Sequence, residues 1–196
     1  MEPETGEAAV ALARTAVATS FDPLPPTPAE LLAAVADLPA LARRAATFVT
    51  LERDGTLRGC IGTLTALRPL GLDVIRNARL AARDPRLPPV RAEEVPALRV
   101  EVTVLSPSEA LPVRGFASLL DRLRPGEDGL TLKDAAGRRA TFLPSVWSGL
   151  PEPERFVAAL LRKGGWPREL WTGDLRTAAW PEGLAAEHYR GESFSG

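Results

Sequence analysis

The sequence predicts a mixed fold in which amphipathic helices pack against antiparallel strands. An Asp-Gly pair at residues 54–55 separates the apolar runs 48–51 and 57–62, which is a strong signal for a two-residue hairpin turn. Residues 98–105 alternate between apolar and polar side chains, as a half-buried antiparallel strand does. Residues 70–83 carry apolar side chains at helical spacing, which predicts an amphipathic helix.

The other elements follow from the same patterns. Helices are predicted over residues 7–21, 116–123 and 152–162. Thr27-Pro28-Ala29-Glu30 has the form of a capping box with proline at the first helical position, so a short helix is predicted from there through Val35, ending near Pro39. A second hairpin is predicted with strands 130–133 and 139–143, and a last strand over 175–180. Residues 188–196 are predicted to be a loose tail.

Length and composition favour one domain spanning residues 1–196. Hydrophobic residues make up 45% and charged residues 25% of the chain, which are ordinary globular values. The net charge of −1 gives no general attraction to nucleic acid or to an anionic membrane. An acidic N-terminus and the absence of a long apolar run lead us to expect a cytoplasmic protein without a membrane span.

The cysteine and histidine counts restrict the chemistry. One cysteine excludes an intrachain disulfide, and one cysteine with one histidine excludes a zinc site with the usual ligands. The sequence contains no Walker loop, no G-x-G-x-x-G motif after a strand and no H-E-x-x-H motif. We therefore expect neither a metal nor a cofactor.

Cys60 is the candidate catalytic residue, in the segment Leu57-Arg58-Gly59-Cys60-Ile61-Gly62. Strand side chains repeat every two residues, so Arg58 and Cys60 are predicted to share one face. A nearby guanidinium favours the thiolate, which is the nucleophilic form of cysteine. Gly59 and Gly62 indicate close approach of a ligand or of another backbone. The alternative is that Cys60 is a small apolar packing residue.

Three further features bear on this site. Asp84 and Arg86, in the proline-rich loop 84–89, either hold a charge beside the cysteine strand or form an internal pair that orders the loop. His188 is the one available partner base, but nothing in its spacing brings it to Cys60. Gly59-Cys60-Ile61-Gly62 matches the G-x-x-G clamp of KH-type RNA-binding modules, although that clamp joins two helices.

Residues 57–62, with residues 48–51 before them, resemble the signature of the AMMECR-type domain family. The resemblance continues at residues 77–78, 81–82, 84–86 and 88–89, then at 100–102, 105–107, 129–130, 142–144 and Lys163. It covers about residues 8–180, which it implies are the core of the domain. It implies an α+β fold, with an antiparallel sheet flanked by helices and a smaller second lobe. In prokaryotes, proteins of this type resemble protein A of the AmmeMemoRadiSam system, whose other members are MEMO-like and radical SAM proteins.

The leading hypothesis is that Arg58, Gly59, Gly62, Asp84 and Arg86 bind a small anionic ligand or a protein partner, with Cys60 as candidate nucleophile. The partner would be a MEMO-like or radical SAM protein. The alternative is a nucleic-acid-binding or regulatory module without catalysis, suggested by the arginine content and the G-x-x-G match. The sequence determines neither the reaction nor the oligomeric state.

Overall fold

The computed structural model describes residues 2–35 and 38–196. The chain divides into two compact units. Unit 1 consists of Met1–Ser106 with Glu192–Gly196, and unit 2 consists of Pro107–Gly191. The predicted α+β class is confirmed, with antiparallel strands flanked by helices. The prediction that residues 1–196 form one domain stays a prediction.

Unit 1 begins with two helices, followed by strands and a third helix. The helices are α1 (Pro3–Ala18), α2 (Pro28–Ala33) and α3 (Leu70–Ala81). The strands are β1 (Arg44–Arg53), β2 (Thr56–Gly62), β3 (Arg68–Pro69) and β4 (Arg99–Leu105). Short 3-10 helices span Thr19–Phe21, Pro39–Ala42 and Ala92–Ala97. β1 lies between β2 and β4, and both pairings are antiparallel.

The core of unit 1 forms where α1 and α3 cover the inner face of these strands. Val49 and Leu51 of β1 and Val100 and Val102 of β4 are buried, as their alternation predicts. They pack in one cluster with the apolar sides of the two helices. On the opposite face of β1, Phe48, Thr50 and Glu52 are only half-buried. The sheet therefore has one apolar face and one more polar face.

Unit 2 packs helices and strands around its own core. The helices are α4 (Phe116–Arg122), α5 (Pro153–Lys163) and α6 (Glu169–Thr172), and a 3-10 helix spans Pro144–Ser148. The strands are β5 (Glu109–Leu111), β6 (Asp128–Lys133), β7 (Arg139–Phe142) and the first part of β8 (Ala185–Ser195). The rings of Trp147 and Phe156 stack with centroids 3.7 Å apart inside this core.

Local signals in the sequence correctly predict most of these elements. The Cys60 hairpin forms with positive φ at Asp54 and Gly55, which is the geometry of a type I′ turn. Thr27 and Glu30 form the predicted capping box. The helix that begins there ends at Ala33, and residues 36–37, across which the prediction extends it, lie outside the described residues. Among the described residues, no helix is long and apolar enough to cross a membrane.

Two predictions near the C-terminus are wrong. Residues 175–180 form turns and irregular backbone instead of a strand. The segment predicted as a loose tail is part of β8. β8 pairs with β6 in unit 2, with Asp128 opposite Arg190. In unit 1 the backbones of Val100 and Gly196 exchange two hydrogen bonds of 3.1 Å. Residues 188–196 have few apolar side chains, so partner strands stabilise a strand that the sequence pattern does not reveal.

Candidate functional site

Cys60 lies on β2, which is at the end of the strand order and has β1 as its sheet neighbour. The residue opposite Cys60 is Thr50 of β1. The Thr50 hydroxyl lies 3.4 Å from the Cys60 Sγ and donates a hydrogen bond to it. The residue is half-buried. The thiol is therefore neither sealed in the core nor fully exposed to solvent.

The prediction that Arg58 and Cys60 share one face assumed an unbroken two-residue repeat, and the structure breaks that repeat. Gly59 lies opposite Leu51, whereas Leu57 lies opposite the next residue, Glu52. Arg58 is thus the extra residue of a β-bulge, which disrupts the alternation of side chains. The Arg58 guanidinium forms two hydrogen bonds of 3.0 Å with the Glu94 carboxylate.

Glu94 anchors Arg58 to the 3-10 helix at Ala92–Ala97. Its carboxylate is nearly buried and also accepts the backbone N–H of Arg91 at 2.9 Å. The hydrogen bonds from Arg58 and from the Arg91 backbone lower the pKa of Glu94 to about 2. The Arg58 side chain is only 18% exposed. Arg58 therefore connects the bulge to the segment that leads into β4.

The second predicted pair, Asp84 and Arg86, lies directly against the backbone of Cys60. The Asp84 Oδ2 accepts the Cys60 N–H at 3.0 Å, and the Arg86 Nη2 donates to the Cys60 carbonyl at 2.7 Å. The pair thus occupies the outward N–H and C=O of an edge strand, groups that otherwise attract further strands. The sequence left two alternatives for Asp84 and Arg86, an internal ion pair or a charge beside the cysteine strand. Both arrangements are present.

Asp84 is fully buried at its side chain, and Arg86 holds it in the charged form. The Arg86 Nε donates to Asp84 Oδ1 at 2.9 Å and the Arg86 Nη2 donates to Oδ2 at 2.6 Å. Mainly because of these bonds, and with help from the backbone N–H groups of Cys60 and Arg86, the pKa of Asp84 lies well below its usual range. The Arg86 side chain is 66% exposed. Arg86 is thus a fixed cation that remains open to solvent.

Gly59 is required by the close approach of α3. A Cβ at this position would lie 1.9 Å from the carbonyl oxygen of Ala81, far inside any real contact. The glycine of the motif therefore lets the end of α3 contact the strand. That contact places the loop after α3, with Asp84 and Arg86, beside Cys60.

Sequence reasoning missed a buried polar network next to this strand. Asp73 of α3 is fully buried, and its Oδ2 accepts hydrogen bonds from the backbone and hydroxyl of Thr47, from Thr63 and from the Asn77 amide. Its Oδ1 accepts a bond of 3.1 Å from Arg68. The available signal was an aspartate and an asparagine four residues apart on an otherwise apolar helix face. The network holds α3 to β1 and to the end of β2.

The remaining candidates lie elsewhere. His188 is on β8 in unit 2, where its Nδ1 lies 3.5 Å from the Asp128 Oδ1. Gly59 and Gly62 lie in a strand and not between two helices as in a KH clamp. Within the part of the chain that the structure describes, no three His, Cys, Asp or Glu side chains are grouped so that they could hold a metal ion. That the predicted residues form a functional site stays a prediction.

The fold and the motif define a class of α+β protein with two compact units and a half-buried thiol on an edge strand. The sequence profile of the AMMECR1 family matches residues 10–182. The chain therefore belongs to the AMMECR1 family.

Individual relatives support this assignment. The chain is 40% identical over 137 residues to a protein of Methanothermobacter thermautotrophicus, covering 67% of this chain and 69% of the relative. It is 34% identical over 183 residues to a protein of Thermococcus gammatolerans, covering 86% of this chain and 82% of the relative. The crystal structure of an uncharacterized protein from Pyrococcus horikoshii matches with a TM-score of 0.81 and 30% identity. That match covers 100% of this chain and 93% of the other.

Proposed function

We propose that this AMMECR1-family protein binds a small anionic group at the Cys60–Arg86 corner, which comprises Cys60, Asp84 and Arg86. One observation carries the proposal. The Arg86 side chain is 66% exposed, yet Asp84 and the Cys60 carbonyl fix the position of its guanidinium. A fixed cation binds an anion with little loss of side-chain freedom, and a guanidinium suits carboxylate or phosphate groups.

In this proposal the two arginines of the leading hypothesis, Arg86 and Arg58, have different roles. Arg86 supplies the charge that meets the ligand, and Arg58 stabilises the bulge through Glu94. Asp84 positions Arg86, and Gly59 admits the loop that carries both. The pKa of Arg86 is raised, mainly by its hydrogen bond to Asp84. The Arg86 Nη2 donates to the carbonyl of the residue that carries the thiol, which supports Cys60 as a nucleophile toward an anionic electrophile.

The test uses the fact that the chain has one cysteine, so that all thiol labelling reports on Cys60. The folded protein is alkylated with anionic iodoacetate and with neutral iodoacetamide, and the ratio of the two rates is measured. At roughly 6 Å in water one unit charge contributes about 0.7 kcal/mol, so Arg86 should raise the ratio about threefold. Arg86→Gln should abolish this gain, and Arg86→Lys should keep most of it.

The control is Arg58→Gln, which removes an equal charge on β2 that is likewise paired with a carboxylate but is mostly buried. It should leave the ratio of rates unchanged, and the iodoacetamide rate corrects each variant for altered access to the thiol. Equal ratios in the native protein and in Arg86→Gln would refute the proposal. Failure of both reagents to label the folded protein would show that Cys60 is a packing residue.

The family resemblance favours a protein as the ligand at this corner, namely a MEMO-like or radical SAM protein. Such a partner would cover Cys60. Adding it in purified form should then slow alkylation of Cys60 by iodoacetamide, and an unchanged rate would exclude contact at the corner.

A further inference from the structure

A cavity in unit 1, separate from β2, is lined by two arginines that have no acidic partner. It lies where the first turn of α1, the start of β1, the start of α3 and the end of β4 meet. Its volume is about 500 Å³, within the range of about 300–1,000 Å³ that small-ligand sites occupy. The lining includes Arg43 and Arg44 together with Ala45, Leu70 and Val104. All of these residues belong to unit 1 and to the described part of the chain.

The backbone that carries the two arginines is fixed by hydrogen bonds. The Arg43 N–H donates to the Ala40 carbonyl at 3.2 Å, and the Arg43 carbonyl accepts the Leu70 N–H at 2.8 Å. Arg44 is the first residue of β1 and pairs with Pro69 of β3. Both side chains therefore start from ordered backbone at the wall of the cavity.

Both guanidinium groups are available to a ligand. Arg43 and Arg44 are exposed, and within the described residues neither side chain has a hydrogen-bond or ion-pair partner. By contrast, Arg58, Arg68 and Arg86 of the same unit each bind a carboxylate. A guanidinium without such a partner can form charge-assisted hydrogen bonds with an anion from solution.

The charges around the cavity favour an anion. One carboxylate, that of the exposed Glu2, also lines it, but the two guanidinium charges outnumber it. Helix α1 begins at Pro3 and helix α3 at Leu70, so the positive ends of two helix dipoles lie at the cavity as well. The acidic residues in the first turns of these helices, Glu4 and Asp73, are outside the lining.

The rest of the wall and the number of cations specify the kind of anion. Ala45 and Val104 are half-buried and Leu70 is buried, so this apolar surface gains from contact with the carbon skeleton of a ligand. A phosphate monoester carries nearly two negative charges on one group above its second pKa of about 6, and guanidinium groups bind phosphate through paired hydrogen bonds. It therefore offers its charge to both arginines and leaves its organic group for the apolar wall.

We infer that this cavity binds a small phosphate monoester. The phosphoryl oxygens pair with Arg43 and Arg44, and the organic group packs against Leu70 and Val104. The cavity shares no residue with the Cys60–Arg86 corner, so this inference does not depend on the proposed function.

The test measures binding of phenyl phosphate to the full chain by isothermal titration calorimetry at about pH 8, where the phosphate is a dianion. The comparison ligands are inorganic phosphate, which lacks the ring, and phenyl sulfate, which has the ring but only one charge. Burial of roughly 60 Å² of ring predicts that phenyl phosphate binds about tenfold more tightly than inorganic phosphate. It should also bind more tightly than phenyl sulfate. Absence of saturable phenyl phosphate binding, or equal affinities for the three ligands, would overturn the inference.

Matched variants locate the site. Arg43→Gln and Arg44→Gln should each weaken phenyl phosphate binding about tenfold, as loss of a hydrogen bond to a charged group does. The control is Arg91→Gln, which removes an exposed arginine of unit 1 outside the lining and should leave the affinity unchanged. Glu2→Gln should tighten binding about twofold, because a unit charge roughly 8 Å away in water has an effect of that size. Equal affinities in Arg44→Gln and Arg91→Gln would refute the assignment.

Arg86→Gln distinguishes this cavity from the Cys60–Arg86 corner. Binding that persists in Arg86→Gln and is weakened in Arg43→Gln and Arg44→Gln would support the cavity. Binding lost in Arg86→Gln but unaltered in both cavity variants would refute the inference and leave the proposed function of the corner in place. Thermal unfolding verifies that each variant folds, and an alanine variant replaces any glutamine variant that does not.

Discussion

Replacing Gly59 by alanine tests whether the close contact between β2 and the end of α3 requires a glycine at this position. The added Cβ would lie 1.9 Å from the Ala81 carbonyl oxygen, about 1.5 Å closer than an ordinary contact of roughly 3.4 Å. The obstacle is backbone at the end of a helix, so relief requires the strand or α3 to move. Overpacking of this kind costs about 3 kcal/mol. Alanine also reduces the freedom of the unfolded chain, which offsets about 0.5–1 kcal/mol.

The expected net loss for Gly59→Ala is therefore about 2–2.5 kcal/mol, measured by urea unfolding. In a chain of this length that corresponds to a fall in Tm of roughly 4–10 °C. Gly62→Ala is the matched control, because its Cβ would meet the ring of Phe48 at 2.2 Å. Phe48 is half-buried, so its side chain can shift about χ1, whereas the Ala81 carbonyl is backbone, and the loss should be smaller. A loss in Gly59→Ala that is equal to or below that of Gly62→Ala would refute the reasoning.

Two further predictions concern the buried carboxylates of unit 1. Asp73→Asn should lower the free energy of unfolding by about 3 kcal/mol, because the new amide nitrogen would face hydrogen-bond donors and Arg68 would lose its charged partner. The control is Asp54→Asn in the exposed hairpin turn, which should change the free energy of unfolding by less than about 0.5 kcal/mol. A similar loss in both variants would contradict the role of the network. The pKa of Glu94 is lowered from 4.5 to about 2, mainly by its hydrogen bonds from Arg58. The charged form of Glu94 therefore stabilises the fold fully above about pH 4.5, and this contribution is lost as the pH falls toward about 2. Urea unfolding at about pH 7, 4.5 and 3 should show a shallower acid loss for Glu94→Gln than for the native protein, and parallel profiles would contradict the assignment.

The sequence was most informative where structure depends on residues close together in the chain. The turn at Asp54 and Gly55, the capping box at Thr27 and the alternation in β4 each rest on local geometry, and all three are present. It failed at β8, where few side chains are apolar and hydrogen bonds to distant strands stabilise the extended backbone. Such a strand lacks the alternation of apolar and polar side chains from which a strand is predicted.

The candidate site shows the same division. Cys60 could be singled out as the one thiol between two glycines, and Asp84 with Arg86 as a charged pair in a rigid loop. The orientation of Arg58 could not be predicted, because one extra residue in β2 breaks the two-residue repeat and Glu94 binds the guanidinium from 36 residues away.

By itself, the sequence determined the secondary structure signalled by short-range patterns, the family signature and the residues able to carry chemistry. Tertiary structure alone decided which cation stands beside Cys60, since Arg86 is brought there by the contact of α3 with Gly59. It also decided that the C-terminal residues form a strand and that Asp73 is buried among donors. These outcomes depend on groups far apart in the chain, whose pairing energies no local pattern encodes.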